Sequence, residues 1–340
     1  MSMQLPIEIV GGGLAGLAAG LALRRGGVPV TVFEAGDYPR HRVCGEFIAG
    51  LEARTVEALG LGEFLSDARP HRSVTYFVRD RALRPFTLPG TAWGISRHAL
   101  DTRLAGAFVA AGGDLRPLTR VPEGEAPDGR VFAVGRRRTG TLWVGLKAHM
   151  RGLELANDFE VHLGERAYVG LSRVETGEVN ACGIFAAREV TARGADLLPA
   201  YLEAAGLGGL AGRMRGAAVD PDSVCVTAAP LGDRATPAGD RVRIGDACAS
   251  IAPFTGNGMA MALQGAELAI GPLLAYARRQ ASWAACVRDV ALAQRSRFRT
   301  RLALASLLHP FFLERRRQSL LAALAGRGLV PFRALYGFLH

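Results

Sequence analysis

Two stretches of this chain combine residue types and spacing that could do chemistry. The first is Ile9-Val10-Gly11-Gly12-Gly13-Leu14-Ala15-Gly16, followed at Glu34 by an acid that closes the run Val30-Thr31-Val32-Phe33. Gly11 permits a tight turn, Gly13 lets backbone amides approach a pyrophosphate, and Gly16 lets a helix pack close on the preceding strand. Glu34 stands about 20 residues on, where a carboxylate accepts hydrogen bonds from ribose hydroxyls. Glycines alone would say little in a chain with 43 of them. The apolar run Leu5 to Val10 before them, the helical composition of Ala15 to Arg25 after them, and the placed acid make the unit a dinucleotide site.

The second stretch runs from Arg241 to Met259. It reads as a strand (Val242 to Gly245), an acid (Asp246), a loop with Pro253, and the glycine pair Gly256-Asn257-Gly258, before the helical run Ala260 to Ala275. An acid at a strand end can bind sugar or ribityl hydroxyls, and glycines there expose amides at the positive end of a helix. Aimed at a flavin ring, that end would stabilise the negative charge of the reduced form. The first stretch alone does not separate NAD from FAD, which share the ADP half; the second favours FAD.

These residues need a scaffold. The pattern strand, helix, strand, loop, helix covers Leu5 to about Leu65, with helical spacing from Leu51 to Leu65. Ser73 to Phe86 alternates as a strand, His98 to Ala111 reads as a helix ended by Gly112-Gly113, and Pro117 to Gly129 reads as a loop. Leu142 to Lys147, Phe159 to Leu163, Tyr168 to Ser172 and Val179 to Phe185 are short alternating runs, as expected for an antiparallel sheet. Ala195 to Ala205 returns to helix. From Met259 onward the chain reads as mostly helical, with breaks at Pro310 and Pro331.

A chain of 340 residues is about two average domains or one large one. No stretch approaches the roughly 18 uncharged apolar residues of a membrane span, and Met1 to Pro6 lacks a secretory pattern, so a cytoplasmic location is expected. Cys44, Cys182, Cys225, Cys248 and Cys286 suggest neither a disulfide framework nor a zinc site, and no metal is expected. The net charge of +10 comes almost entirely from arginine, Lys147 being the only lysine. The clusters Arg136 to Arg138, Arg295 to Arg301 and Arg315 to Arg317 read first as solvated helix faces. An acidic carrier protein delivering a tethered substrate, or peripheral contact with an anionic membrane, are the alternatives. No nucleic-acid module accompanies them, so no nucleic-acid partner is expected.

The first motif, the Gly245-Asp246 loop with Gly256-Asn257-Gly258, and Arg97 in Ser96-Arg97-His98-Ala99-Leu100-Asp101 together resemble FAD-dependent oxidoreductases of the para-hydroxybenzoate hydroxylase type, over nearly the whole chain. Arg42-Val43-Cys44-Gly45-Glu46-Phe47 is similar to the cysteine-glycine segment of the geranylgeranyl reductase branch. The resemblance implies an α/β fold: a discontinuous Rossmann-like FAD-binding domain (1–72, 97–140, 240–280), an antiparallel substrate sheet (73–96, 141–239) and a helical C-terminal region (281–340). It implies FAD held by Gly11, Gly13, Leu14 and Ala15 at the pyrophosphate and by Glu34 and Ala35 at the adenosine ribose. Arg42 and Arg97 would lie along its middle, Asp246 at the ribityl region, and Gly256, Asn257 and Gly258 at the ring. NADH or NADPH would supply the electrons.

The match has gaps. The three-stranded meander usual before the strand at Arg130 to Val134 is replaced by the loop Pro117 to Gly129, which would leave the adenine end more exposed. The Asp-Gly pair tied to NADPH use reads Val134-Gly135. The Tyr-x-Trp-x-Phe-Pro pattern of geranylgeranyl reductases keeps only Tyr168, so an isoprenoid substrate is not implied. No halogenase tryptophan motif surrounds Trp93, Trp143 or Trp283.

The leading expectation is a single-component monooxygenase hydroxylating an apolar aromatic or polyketide-like small molecule, with the chemistry belonging to the flavin. The second is a reductase or dehydrogenase of carbon-carbon bonds, with Cys44, Glu46 and Tyr168 as candidate catalytic residues and Glu46 or Tyr168 as proton donor. The third is a binding protein that keeps the fold without redox activity. Substrate identity and oligomeric state are not legible.

Overall fold

A computed structural model describes residues 4–340 except 123, 125, 137–141, 230–233 and 236–238; Arg137 and Arg138 of the first arginine cluster lie outside the described residues. The chain opens with β1 (Ile7–Val10), α1 (Leu14–Arg25), β2 (Val30–Phe33), β3 (Phe47–Ile48) and α2 (Ala53–Leu59). Next come β4 (Arg69–Val78), β5 (Arg81–Ala82), β6 (Phe86–Gly94), α3 (Arg97–Ala110), β7 (Asp114–Arg116) and β8 (Arg130–Phe132). The middle holds β9 (Trp143–Arg151), β10 (Phe159–Gly164), β11 (Ala167–Arg173), β12 (Val179–Ala186), α4 (Leu197–Ala204), α5 (Gly208–Arg215) and β13 (Ala218–Ala228). After β14 (Arg234–Ala235), β15 (Val242–Arg243) and β16 (Ala249–Ser250) the chain is helical. The helices are α6 (Gly258–Ala277), α7 (Trp283–Leu308), α8 (Pro310–Leu313), α9 (Arg315–Gly326) and α10 (Phe332–Leu339).

One sheet is parallel, in the order β15-β8-β1-β2-β7, and carries the Rossmann-like crossover. Its strands are short and buried, with Ile7, Ile9, Val32 and Val131 fully enclosed, because helices cover both faces of such a sheet. Gly20 of α1 lets Val32 and Phe108 approach closely, so α1 and α3 pack on one face.

The second sheet runs β13-β9-β12-β11-β10-β4-β6-β3, with β5 beside β4. It is antiparallel except for the β4–β10 pair. Its register sorts side chains by the two-residue period of a strand. Leu146, Ala148, Met150, Val169, Leu171, Ala181 and Phe185 form one face and bury themselves under Leu198, Leu202 and Leu210 of α4 and α5. The opposite face carries Gly145, Lys147, His149, Tyr168, Gly170 and Cys182.

The structure departs from the expected elements in three places. The run Ser73 to Phe86 is not one strand but the end of β4, β5 and the first residue of β6, because Arg79 and Asp80 take left-handed backbone angles (φ 50° and 63°) and turn the chain after β4. Leu51 to Leu65 is interrupted at Gly60, whose φ of 61° ends α2, and a short 3₁₀ turn (Gly62–Leu65) follows. The Gly258–Ala277 helix is long and apolar enough to cross a membrane, contrary to the expectation that no such stretch exists. It packs instead between α1 and α7, with Leu263, Ala266, Ala269 and Leu273 fully buried. Among the described residues between α3 and β8, β7 is the only strand.

Candidate cofactor site and the cavity beside it

Gly11 ends β1 with φ 112°, and any Cβ there would strike the Ala133 carbonyl, so the turn into α1 demands glycine. A side chain on Gly12 would collide with Tyr38, and one on Gly16 with the Gly11 carbonyl oxygen. Gly13 differs: its backbone is ordinary (φ −87°), and an added Cβ would meet nothing nearer than Arg97 Nη2, 3.6 Å away. Gly13 therefore borders open space and not a packed neighbour. No side chain caps α1, so its first amides are free to bind an anion.

Glu34 is 6 % exposed and accepts hydrogen bonds from the Gly12 and Gly36 amides, both at 2.9 Å. Arg40 lies 2.6 Å from Oε1 and Arg42 3.4 Å from Oε2. Burial raises the Glu34 carboxyl, but Arg42, Arg40 and the two amides outweigh it and hold the pKa below its usual value. Ala35 follows it in the loop after β2.

Arg42 spans the groove, with Nε 3.2 Å from Asp101 and its other end on Glu34. Arg97 starts α3 and grips Asp101 bidentately at 2.8 and 2.7 Å. Burial opposes its charge, but Asp101 more than compensates and pushes its pKa above the ordinary value. Ser96 caps the helix by accepting from the Ala99 amide.

Asp246 comes from the far part of the chain yet stands on the same cleft. Gly245, with φ 61°, lies so close to α1 that a Cβ on it would be 2.9 Å from the Ala15 Cβ. Asp246 beside it is exposed to solvent, yet burial raises its carboxyl while Arg136 and Arg97 pull it down. A side chain both crowded by protein and open to solvent lines a concave surface. The ring-side loop closes on Phe47: a Cβ on Gly256 (φ 66°) would be 2.7 Å from the Phe47 ring, and the Gly256 carbonyl accepts from the Ala49 amide. Asn257 is fully buried, gives its amide to the Leu339 carbonyl, and leaves Oδ1 without a partner among the described residues. Gly258 begins α6, again with no side-chain cap.

The uncapped start of α1, Arg97 and the accessible Asp246 thus stand near one another, a donor and acceptor set that suits an anionic ligand, while the uncapped start of α6 and the buried Asn257 Oδ1 lie in the loop that packs on Phe47. Gly11, Gly13, Leu14 and Ala15 stand at the start of α1, with Asp246 beside them through the approach of Gly245 to Ala15; Glu34 and Ala35 follow β2, Arg42 and Arg97 meet at Asp101, and Gly256 to Gly258 pack beside Phe47 before α6.

The strap Arg42–Phe47 links this groove to the second sheet. Asn180 donates to the Cys44 carbonyl at 3.0 Å and Ser172 to the Gly45 carbonyl at 3.1 Å. Glu46 takes a left-handed conformation (φ 51°), unusual for a residue with a side chain, and is wholly buried. Its carboxylate accepts from Lys147 Nζ at 2.8 Å, His149 Nε2 at 2.6 Å and the Arg97 amide at 2.9 Å. Burial raises its pKa, but His149 and Lys147 reverse this and keep it ionised. That state is unsuited to the proton-donor role. Cys44 receives the Glu46 amide at sulfur, and burial raises its thiol pKa, so it stays protonated and unreactive.

Lys147 also lies 3.0 Å from His41 Nδ1. Burial, then Lys147 and the neighbouring histidines, lower the His41 pKa to about 4, so the ring is neutral and Nδ1 accepts from the ammonium. His41, Glu46 and His149 bring potential ligand atoms within 4.8 Å of one another, a set that could hold a metal, but the Lys147 ammonium already supplies the cation there. Neither Lys147 nor His149 was selected from the sequence. The available signal was that one lysine survives among 40 arginines.

Along the same sheet face Gly170, Cys182 and Cys225 are small and half-buried, with Phe159 and Tyr76 beside them. Small residues on an inner face leave room between walls. Tyr168 closes one side, packed edge-on against Phe254 and Phe312, with its hydroxyl 3.3 Å from His309 Nε2.

Comparison with known proteins agrees with this fold. Residues 9–55 match the family model described as an NAD(P)-binding Rossmann-like domain. The class defined is therefore that of α/β proteins in which a Rossmann-like domain carries a second, mostly antiparallel sheet and a helical C-terminal region. Among particular proteins, a menaquinone reductase of Mycolicibacterium smegmatis is 27 % identical over 140 residues, 39 % of this chain and 34 % of that protein. The chain thus matches about a third of that curated relative's length. PqsL of P. aeruginosa, solved with 2-aminobenzoylacetate, superposes with a TM-score of 0.73 at 16 % identity, over 92 % of this chain and 98 % of PqsL. The p-nitrophenol 4-monooxygenase PnpA of Pseudomonas putida gives 0.78 at 14 % identity, over 100 % and 97 %. HpxO of Klebsiella pneumoniae, solved with FAD, gives 0.76 at 18 % identity, over 98 % and 97 %. At these identities the likeness establishes the fold.

Proposed function

We propose that the protein is an FAD-dependent oxidoreductase, acting as a single-component monooxygenase that hydroxylates an apolar aromatic or polyketide-like small molecule. The observation that carries this reading is the close approach of Gly245 to Ala15, which sets Asp246 beside the start of α1; the Gly256-Asn257-Gly258 loop, further along the same segment, would then face the other end of the cofactor. FAD would be held by the α1 amides and Arg97 at the pyrophosphate, Glu34 at the adenosine ribose and Asp246 at the ribityl chain. The α6 start would face its ring. When bound, the flavin supplies the redox and oxygen chemistry.

The chain's own residues orient the reactants and exclude water. The strap Arg42–Phe47 would separate cofactor from substrate, and Phe47, Phe159, Tyr168 and Phe254, which cluster beside the second sheet, would offer the substrate an apolar surface. Its few polar groups, His41 and the Tyr168 hydroxyl, would fix a substrate's direction. Support for an aromatic substrate comes from PqsL and PnpA, whose named ligand and substrate are aromatic.

Purified protein is expected to show flavin absorption, to bleach with NADH or NADPH, and to consume oxygen in proportion to hydroxylated product. Substrate turnover without oxygen would overturn the monooxygenase reading in favour of a second one, a carbon-carbon reductase akin to the geranylgeranyl reductase branch. The stretch shared with a menaquinone reductase is what favours that second reading. Colourless protein that takes up no added FAD would overturn both.

A further inference from the structure

We propose that the face built by α7, α9 and α10 docks on an anionic lipid surface and takes an apolar substrate directly from it. From Val290 to His340 the chain has nine arginines and a single carboxylate, Glu314. A solvated helix face normally interleaves both signs; this one does not. Arg295, Arg299, Arg315, Arg316 and Arg333 are exposed and meet no carboxylate among the described residues.

The same segment exposes large apolar side chains: Leu292 at 59 %, Leu307 at 67 %, Leu320 at 51 %, Leu329 at 61 % and Phe338 at 63 %. Three of them lie on helix stripes shared with arginine. On α7, Leu292, Arg299, Ala303 and Leu307 fall on one stripe at helical spacing and all are exposed. On α9, Arg316, Leu320 and Ala323 do the same, and Arg327 continues the stripe at the C-cap. Apolar side chains flanked by unpaired arginines fit the boundary between head groups and acyl chains, where each part has a favourable partner.

A cavity of about 380 Å³ opens at this face. Ser306, His309, Pro310, Leu313 and Glu314 at the α7–α8 junction form one side, and Trp143 and Arg166 of the sheet form the other. Ser306 and Glu314 stand at its exposed rim, next to Leu307 and Arg315. At its inner wall His309 reaches the Tyr168 hydroxyl and stacks on Phe254 at 5.7 Å. The opening therefore leads from the arginine-leucine face toward the apolar side of the substrate sheet. An apolar molecule would pass between them without crossing bulk water. The route, though not the docking, rests on the monooxygenase reading above.

The test is sedimentation of the full chain with vesicles of phosphatidylcholine alone or with one quarter phosphatidylglycerol. Association with the anionic vesicles is expected, at least tenfold weaker with phosphatidylcholine alone and lost in 0.5 M salt. Arg316→Glu with Leu320→Glu should weaken it at least tenfold while circular dichroism stays unchanged. Absence of association with anionic vesicles at low salt overturns the proposal, as does association indifferent to these changes. So does a concentration-dependent dimer abolished by the same pair of substitutions, since a second copy would then cover the face. Vesicle association needs no turnover. Its failure leaves the monooxygenase reading standing, and loss of that reading leaves the docking intact.

Discussion

Lys147 Nζ lies 2.8 Å from Glu46 Oε1 with neither side chain exposed to solvent, and it is the only lysine in the chain. Glu46 belongs to the strap Arg42–Phe47 beside Arg97, and Lys147 to strand β9 of the second sheet. The pair therefore joins the two halves of the molecule. Lys147→Met leaves Glu46 charged, buried and short of its cation, which costs about 3–5 kcal/mol. Adding Glu46→Gln should recover much of that loss, because no uncompensated charge then remains. Urea unfolding of the parent, the single and the double variant measures both values. A single variant within about 1 kcal/mol of the parent would show that His149 alone neutralises Glu46.

Gly13 offers a clean test of the cofactor groove. Its backbone angles suit any residue, and a side chain there enters open space near Arg97. Gly13→Val should leave the fold intact while weakening FAD binding roughly tenfold or more, about 1.4 kcal/mol or above. Equilibrium dialysis with FAD, alongside a thermal melt, separates the two effects. Unchanged flavin affinity would place the pyrophosphate elsewhere.

Acid should destabilise the protein early. Burial lowers the pKa of His41, of His309 and of His340 to about 4 each. An unfolded histidine titrates near 6.5, so between about pH 6.5 and 4 the unfolded chain binds protons that the native one refuses. Stability is therefore full above about pH 6.5 and falls as pH drops through that window, with a slope of up to three protons. Glu160 adds a lower step. Burial would raise its pKa, but bonds from His162 and Arg213 bring it to about 2, so its contribution is lost between about pH 4.5 and 2. The unfolding midpoint followed from pH 8 to 4 checks the sign, and His309→Phe should flatten the slope by one proton.

The C-terminal helix holds the ring-side loop. His340 Nε2 bonds to the Thr255 carbonyl at 3.0 Å, and Asn257 Nδ2 reaches the Leu339 carbonyl. Arg301, itself bonded to Gln264, reaches the His340 carbonyl oxygen. Removing residues 332–340 should free the loop and lower flavin retention several-fold, with the parallel sheet still folded. Gel filtration followed by the flavin-to-protein absorbance ratio reads this. An unaltered ratio would show that the loop is rigid without the helix.

Much of the scaffold was legible because it is local. The glycine turn, the acid after β2 and the strand-to-loop pattern around Asp246 are determined by backbone angles and close approaches that particular residues permit. Only glycine tolerates Gly11's φ of 112° beside the Ala133 carbonyl, so its presence betrays the turn. The break at Arg79-Asp80 was not legible, because neither residue type demands a left-handed angle and the surrounding alternation continues through it. Gly258–Ala277 was misjudged for a related reason: Glu267 and Gln264 hide an apolar helix whose burial comes from its neighbours.

By itself, the sequence determined that the chain carries a dinucleotide turn, a second glycine loop and an alternating sheet, since each follows from periodicity and steric permission within a few residues. Only the tertiary structure decided which distant groups meet. Gly245 touching Ala15 is a contact across 230 residues, and Glu46 meets Lys147 and His149 from about 100 residues away. Their charges are tolerable in the interior only as a set. A set assembled by packing leaves no spacing in the sequence from which it could be read.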